Sequence, residues 1–299
     1  MEQTQELVAR PTRLRSAEPR SELAKSLRRL ARNKGAIGGA VVLALIVLTA
    51  IFAPALAPED PLKQQYGRVL QAPNGETPLG TDQFGRDILS RIVVGSRQSL
   101  QVAILAIVIA SLAGTVLGLI TGYYGGWIDL IIQRLIDMQL AFPGILFALA
   151  IVSVLGPGLR NAMIAVGISL VPTYARTVRG SVLSARENAY VDAARVLGAG
   201  DRRIVLRHIL PNVLAPILVL STVGMAWAIL IGASLSFLGL GAQLPNPEWG
   251  LDLATSRDYL REAWWMSTFP GLAIMLTVIS VNLLGEGLRD ALDPRLRTR

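Results

Sequence analysis

The sequence predicts an all-α integral membrane protein with six transmembrane helices. Three observations predict it. Hydrophobic residues make up 52% of the 299 positions and charged residues only 17%, where a soluble chain usually carries about 25% charged. Six apolar runs have the length a bilayer needs, about 20 residues as helix. Lys and Arg gather on alternate connections between those runs, as they do in membrane proteins whose basic loops stay in the cytoplasm.

The runs are Gly35–Ala57, Ser99–Tyr123, Trp127–Leu155, Asn161–Ser181, Pro211–Leu240 and Ser267–Leu288. The third and fifth exceed one bilayer thickness, so tilt or a kink is expected, with Pro143 placed to make it. Ala55-Leu56-Ala57 looks like a signal cleavage site. The long basic stretch before the first run, and an apolar core longer than a signal peptide's, favour a retained first span. Of the 29 Lys and Arg, twenty lie in the N-terminal tail, in the connection between runs four and five, or at the C-terminal end. Eight lie on the other side, and Arg134 lies inside run three. Both termini are therefore expected on the basic, cytoplasmic side of the membrane.

Composition excludes several functions. There is no cysteine, which removes disulfides and thiolate metal sites, and His208 is the one histidine. A hydrolase triad inside the bilayer has no base to use, and no catalytic or metal site is expected. The net charge of +8 is interleaved with apolar runs rather than striped along a soluble domain, so nucleic acid is not an expected partner. Gly114, Gly118 and Gly122 recur every four residues and predict a close helix-packing ridge. Arg134 and Asp137 are intramembrane charges three apart, with Asp129 one helical stretch earlier. They predict a structural ion pair on one helix face ahead of a gating role. Trp249, Trp264 and Trp265 read as interfacial anchors.

Tyr190–Asn212 is too polar to span. Tyr190, Ala193, Ala194 and Leu197 mark one helix face. Gly198-Ala199-Gly200 breaks it, Asp201 caps a second short helix, and Pro211 suits the first turn of the fifth span. Two short helices outside the membrane fit either a docking site for a partner, with Ala residues allowing close approach, or an elbow lying on lipid headgroups. The residues alone leave both open. Arg86, Asp87 and Arg91 likewise fit either a plug or docking edge, or a solvated loop held by a local ion pair.

Asp192-Ala193-Ala194, Gly198 and Leu210-Pro211 resemble the EAA loop of ABC importer permeases, read as E-A-A, three residues, G, nine residues, I, any residue, L-P. Asp192 stands for glutamate and His208 for isoleucine. Leu79–Asp82 with Gly85, Arg86, Asp87 and Arg91 resembles the extracytoplasmic entrance segment of dipeptide and oligopeptide C-type permeases. The Leu238–Gly241 and Pro247–Gly250 stretches, and Asn282 through Pro294, resemble its later segments. Leu244 and Glu286 depart from the pattern. The resemblance implies a type I ABC importer permease fold with a basic tail at 1–34, a first helix at 35–57, an extracytoplasmic segment at 58–98, a five-helix core at 99–290 holding a coupling loop at 188–211, and a tail at 291–299. It implies ATPase coupling through Tyr190, Asp192, Ala193, Ala194, Gly198, Asp201, His208, Leu210 and Pro211, and an entrance at Asp82, Gly85, Arg86, Asp87 and Arg91. It further implies a bacterial inner membrane as the location, and a second homologous permease, two cytoplasmic ATPases, a substrate-binding protein and the lipid bilayer as partners. The chain lacks a G-x-x-x-x-G-K-[ST] loop, so no cofactor is expected in it, and ATP and Mg are expected on the ATPases. Peptide, glutathione and nickel-chelate substrates all remain open, as does a passive channel or scaffold.

Overall fold

The computed structural model describes residues 30–292, so the expected tails lie largely outside the described residues. The described residues are mostly helical, and among them one isolated bridge joins Thr81 and Asp87. Helix α1, Lys34–Ile51, starts where the Asn33 side chain accepts the Ala36 N–H, a cap that satisfies an otherwise orphaned donor. A short α2, Ala53–Leu56, follows.

Helix α3, Ile88–Tyr124, begins at Ile88 rather than at Ser99. Asp87 caps it by accepting the Ser90 N–H at 2.7 Å. Its 37 residues span about 55 Å at 1.5 Å each, well beyond a hydrocarbon core of about 30 Å. The first turns therefore stand outside the apolar layer, which is why a hydropathy pattern does not reveal them.

The expected third span is broken. Helix α4, Gly126–Leu140, and helix α5, Gly144–Leu155, meet at 94°. Pro143 has no N–H to continue the ladder, and the break falls at Ala141–Phe142–Pro143 as its position predicts. Helix α6, Leu159–Arg186, matches the expected fourth span in place. Four helices among the described residues are long and apolar enough to cross a membrane, or five if the bent pair is one span. Helix α6 is long enough but carries Arg160, Arg176, Arg179 and Arg186, and it owes its place to packing rather than to lipid.

After α6 come α7, Ala189–Val196, α8, Asp201–Arg203, a π-helical turn at Ile204–Ile209, and α9, Leu210–Phe237. Helices α10, Trp249–Ser256, and α11, Trp265–Leu292, complete the described residues. The central seam is α3 against α6. A Cβ on Gly118 would lie 2.6 Å from Val178 Cβ, one on Gly122 2.7 Å from Val182 Cβ, and one on Gly114 would fall on Tyr174 Cβ. Ala103, Ala106 and Ala110 extend the same small-residue ridge and are fully buried. Helix α1 leans on α11, where Gly39 lies against the Ser280 carbonyl. Leu45, Leu112 and Leu218 face outward, as lipid permits.

The tryptophans divide. Trp264 is exposed, but Trp249 and Trp265 are core residues. Their indole N–H groups donate to the Ile92 and Thr81 carbonyls at 3.0 and 3.1 Å, so neither is the surface anchor its aromatic character suggested.

Candidate functional site

At one end of the bundle, the α6–α9 connection forms a projecting loop. Val191 and Ala194 turn inward onto Val182, Ala185, Ile204 and Ile209. The inward face is thus Val191 and Ala194, and of the face marked by the spacing Tyr190, Ala193 and Leu197 are exposed. Asp192 and Ala193 face solvent. Val196 and Leu197 are 87% and 86% exposed at the tip, an unusual position for two large apolar residues.

Gly198 sits at φ +79, and a Cβ there would meet no atom within 4 Å. Its role is conformational. It closes α7 through Gly198 N–H to the Arg195 carbonyl and Ala199 N–H to the Ala194 carbonyl, both 3.0 Å. This is a Schellman cap, which needs a left-handed residue at that position.

The expected second helix is not separate. Asp201–Phe237 runs as one 37-residue helical path, joined at the π turn by the Leu210 N–H reaching the Val205 carbonyl. That wide turn suits the entry of Pro211, which has no N–H to donate. Asp201 accepts the Tyr123 hydroxyl at 2.7 Å, and Arg186 donates to the Gly122 carbonyl at 3.0 Å. Both clasp the loop to the end of α3. His208 offers its backbone carbonyl to the Asn212 amide at 2.7 Å, and that amide also donates to the Tyr190 hydroxyl at 3.2 Å.

Helix α9 leads from this loop to a cavity of about 530 Å³. Gln139, Phe142, Thr173, Tyr174, Trp227 and Ser234 are among its walls, placing it at the middle of α6 and α9 and at the α4–α5 break. Among the described residues, the N–H groups of Gly144, Ile145 and Leu146 have no hydrogen-bond partner. Open backbone at membrane depth is tolerated where it lines a watered cavity or is buried in protein. Arg134 and Asp137 do not pair with each other. Asp137 takes Arg176 at 2.5 Å and Asp129 takes Arg179 at 2.6 Å, both across to α6. The three-residue spacing allows a local pair, but the arginines of α6 lie closer.

At the opposite end, the segment expected to be either a plug or a solvated loop is a buried ion cluster. Asp82, Arg86, Asp87 and Arg91 are at most 4% exposed. Arg86 Nε donates to Asp82 at 2.6 Å, and Arg91 Nε to Asp252 at 3.0 Å. Arg91 also donates to the Pro61 and Pro245 carbonyls, each at 3.3 Å. Gly85, at φ +69, lies so close to the Gln65 carbonyl that no side chain fits. Glu248 caps α10, accepting from Gly250 N, Leu251 N and Ser99 Oγ at 2.9–3.0 Å. Burial pushes the Glu248 carboxyl up against the pull of those donors. Burial, then the charge of Arg91, push the Arg86 guanidinium down. Asp252 was invisible to sequence reasoning because Arg91, its partner, is 161 residues away. Among the described residues no cluster of three or more potential metal ligands occurs.

Residues 114–298 match the family described as binding-protein-dependent transport system inner membrane component. Residues 21–73 match the N-terminal TM domain of oligopeptide transport permease C. The chain is 50% identical over 274 residues to the dipeptide transport system permease protein DppC of Alkalihalophilus pseudofirmus, covering 92% of this chain and 90% of the relative. It is 46% identical to the di/tripeptide transport system permease protein DppC of Pseudomonas aeruginosa, covering 89% and 90%. It is 44% identical to the glutathione transport system permease protein GsiD of Pectobacterium atrosepticum, covering 91% and 90%. The MetNI methionine ABC transporter in an inward-facing form shares the fold at TM-score 0.56 and 17% identity, covering 68% of this chain and 96% of that one. Because the first of these matches takes in more than half of its length, the chain belongs to the family of inner membrane components of binding-protein-dependent transport systems.

Proposed function

We propose that this chain is the permease subunit of an ATP-driven ABC importer for dipeptides and oligopeptides. The exposed Val196–Leu197 tip, followed directly by the helical path Asp201–Phe237 that runs to the wall of the central cavity, carries this reading. Two cytoplasmic ATPases grip the loop at Tyr190, Asp192, Ala193, Gly198 and the tip, bind ATP and Mg, and supply the energy. Ala194, Asp201, His208, Leu210 and Pro211 form its base and pass the movement into α9. The chain itself catalyses nothing. A homologous permease completes the passage at the cavity, and a substrate-binding protein delivers peptide to the end bearing Asp82, Gly85, Arg86, Asp87 and Arg91. The glycine ridge at Gly114, Gly118 and Gly122 keeps α3 and α6 moving as one body. Both termini lie in the cytoplasm, with the loop at 188–211 on the same side.

The relatives named for dipeptides and di/tripeptides favour peptide as cargo. The relative named for glutathione keeps a modified tripeptide as the second reading. The test is co-purification of the complex carrying Val196→Asp and Leu197→Asp. The ATPases should be lost while the permease pair stays in the membrane and peptide uptake stops. Retained ATPases with undiminished uptake would refute the assignment.

A further inference from the structure

Between the end of α3 and the start of the helical path after Gly200 lies a second opening of about 380 Å³. Its walls are aliphatic: Val116, Leu119 and Ile120 from the last turns of α3, and Val205 and Leu206 from the π turn. At its rim stand Tyr124 and Arg202. We propose that this groove holds one anionic phospholipid of the cytoplasmic leaflet, its acyl chain along the aliphatic walls and its phosphate on Arg202.

Three features select that occupant. The groove opens at the C-terminal end of α3, one of the two 37-residue apolar helical runs, where membrane gives way to water. Arg202 is exposed and forms no ion pair among the described residues. The adjacent carboxylate, Asp201, is engaged by the Tyr123 hydroxyl at 2.7 Å. Arg203 and Arg207 are also exposed on the same short stretch, so the surroundings are cationic. Basic pockets between transmembrane helices on the cytoplasmic side favour anionic headgroups. Tyr124, half exposed, suits the interfacial level between chain and headgroup. A lipid seated here touches both sides of the Tyr123–Asp201 clasp, so leaflet charge bears on the loop that the ATPases grip.

The inference rests on the orientation proposed above, and its readout is lipid binding rather than transport. The purified permease complex in mild detergent is titrated with phosphatidylglycerol or phosphatidylcholine and examined by native mass spectrometry. The expected result is one phosphatidylglycerol retained per copy of this chain in preference to phosphatidylcholine. Arg202→Gln should lower that preference about five-fold, and Arg202→Glu should abolish it. Arg261→Glu, at the other end of the bundle, should leave it unchanged. A photo-crosslinker at Leu206 should capture phosphatidylglycerol. Equal retention of the two lipids, insensitivity to Arg202→Glu, or a Leu206 crosslink to an ATPase or a second permease would each overturn the proposal. None of those outcomes touches peptide transport itself.

Discussion

Arg91 shows how a single side chain can join distant parts of a membrane protein. It reaches Asp252, Pro61 and Pro245 from within α3, tying the segment before that helix to the segment after α9. Removing one partner of a buried pair leaves a charge without compensation, at a cost of about 3–5 kcal/mol. Arg91→Ala should therefore lower the thermal midpoint of the solubilised protein markedly, while a double change to Arg91→Met with Asp252→Leu should recover much of the loss. The pH dependence has a definite sign. Burial pushes the Asp252 carboxyl up, and Arg91 opposes that rise. Without Arg91 the carboxyl rises further above its unfolded value. Its penalty then appears as pH climbs from the ordinary carboxylate range through the raised value, and disappears in acid. Thermal melts across pH should show the Arg91→Ala deficit shrinking on acidification; a deficit that grows in acid would count against the pairing.

Among the elements, the loop and the glycine seam make opposite demands on glycine. Gly198 has empty space around it and a positive φ, so Gly198→Ala should cost about 1–2 kcal/mol through backbone strain alone. It should weaken coupling of ATP hydrolysis to uptake without stopping insertion, and Gly198→Pro should abolish coupling. Gly118 has an ordinary helical backbone and no space, with Val178 Cβ 2.6 Å from the point a Cβ would occupy. Gly118→Val should overpack the seam by about 1–3 kcal/mol and lower the folded yield in a detergent melt. The loop was legible because its signals are local: a break at Gly198, a proline at Pro211, and a spacing that resembles one family. The side that packs inward was not legible: Ala193 and Leu197 share Ala194's face by period, yet both are exposed, and Val191 packs beside Ala194 instead. The Arg134–Asp137 pair was misread for a related reason. Helical spacing says which residues can meet, but Arg176 on another helix outcompetes the local neighbour.

Seen whole, the molecule is a helical scaffold whose ends differ. One end carries a projecting loop with Val196 and Leu197 in solvent, and the other carries a closed ion cluster. Between them α9 connects loop to cavity without interruption. The absence of cysteine makes topology directly testable. Glu187→Cys, beside the loop, should react with an impermeant maleimide only after the cells are opened. Arg261→Cys, between α10 and α11, should react in cells whose inner membrane is intact. Labelling of both from the same side would overturn the proposed orientation.

Composition and period alone determined that this chain is helical, that lipid is its main solvent, and where its polar loop interrupts the apolar runs. Those properties come from residues within a few turns of each other. Pro143 marked where the third run bends, but tertiary structure alone decided the burial of Arg86 and Arg91, the partner of Asp137, and the union of the loop with α9. Each depends on which surfaces meet across long separations, and no local period records the identity of a neighbour on another helix.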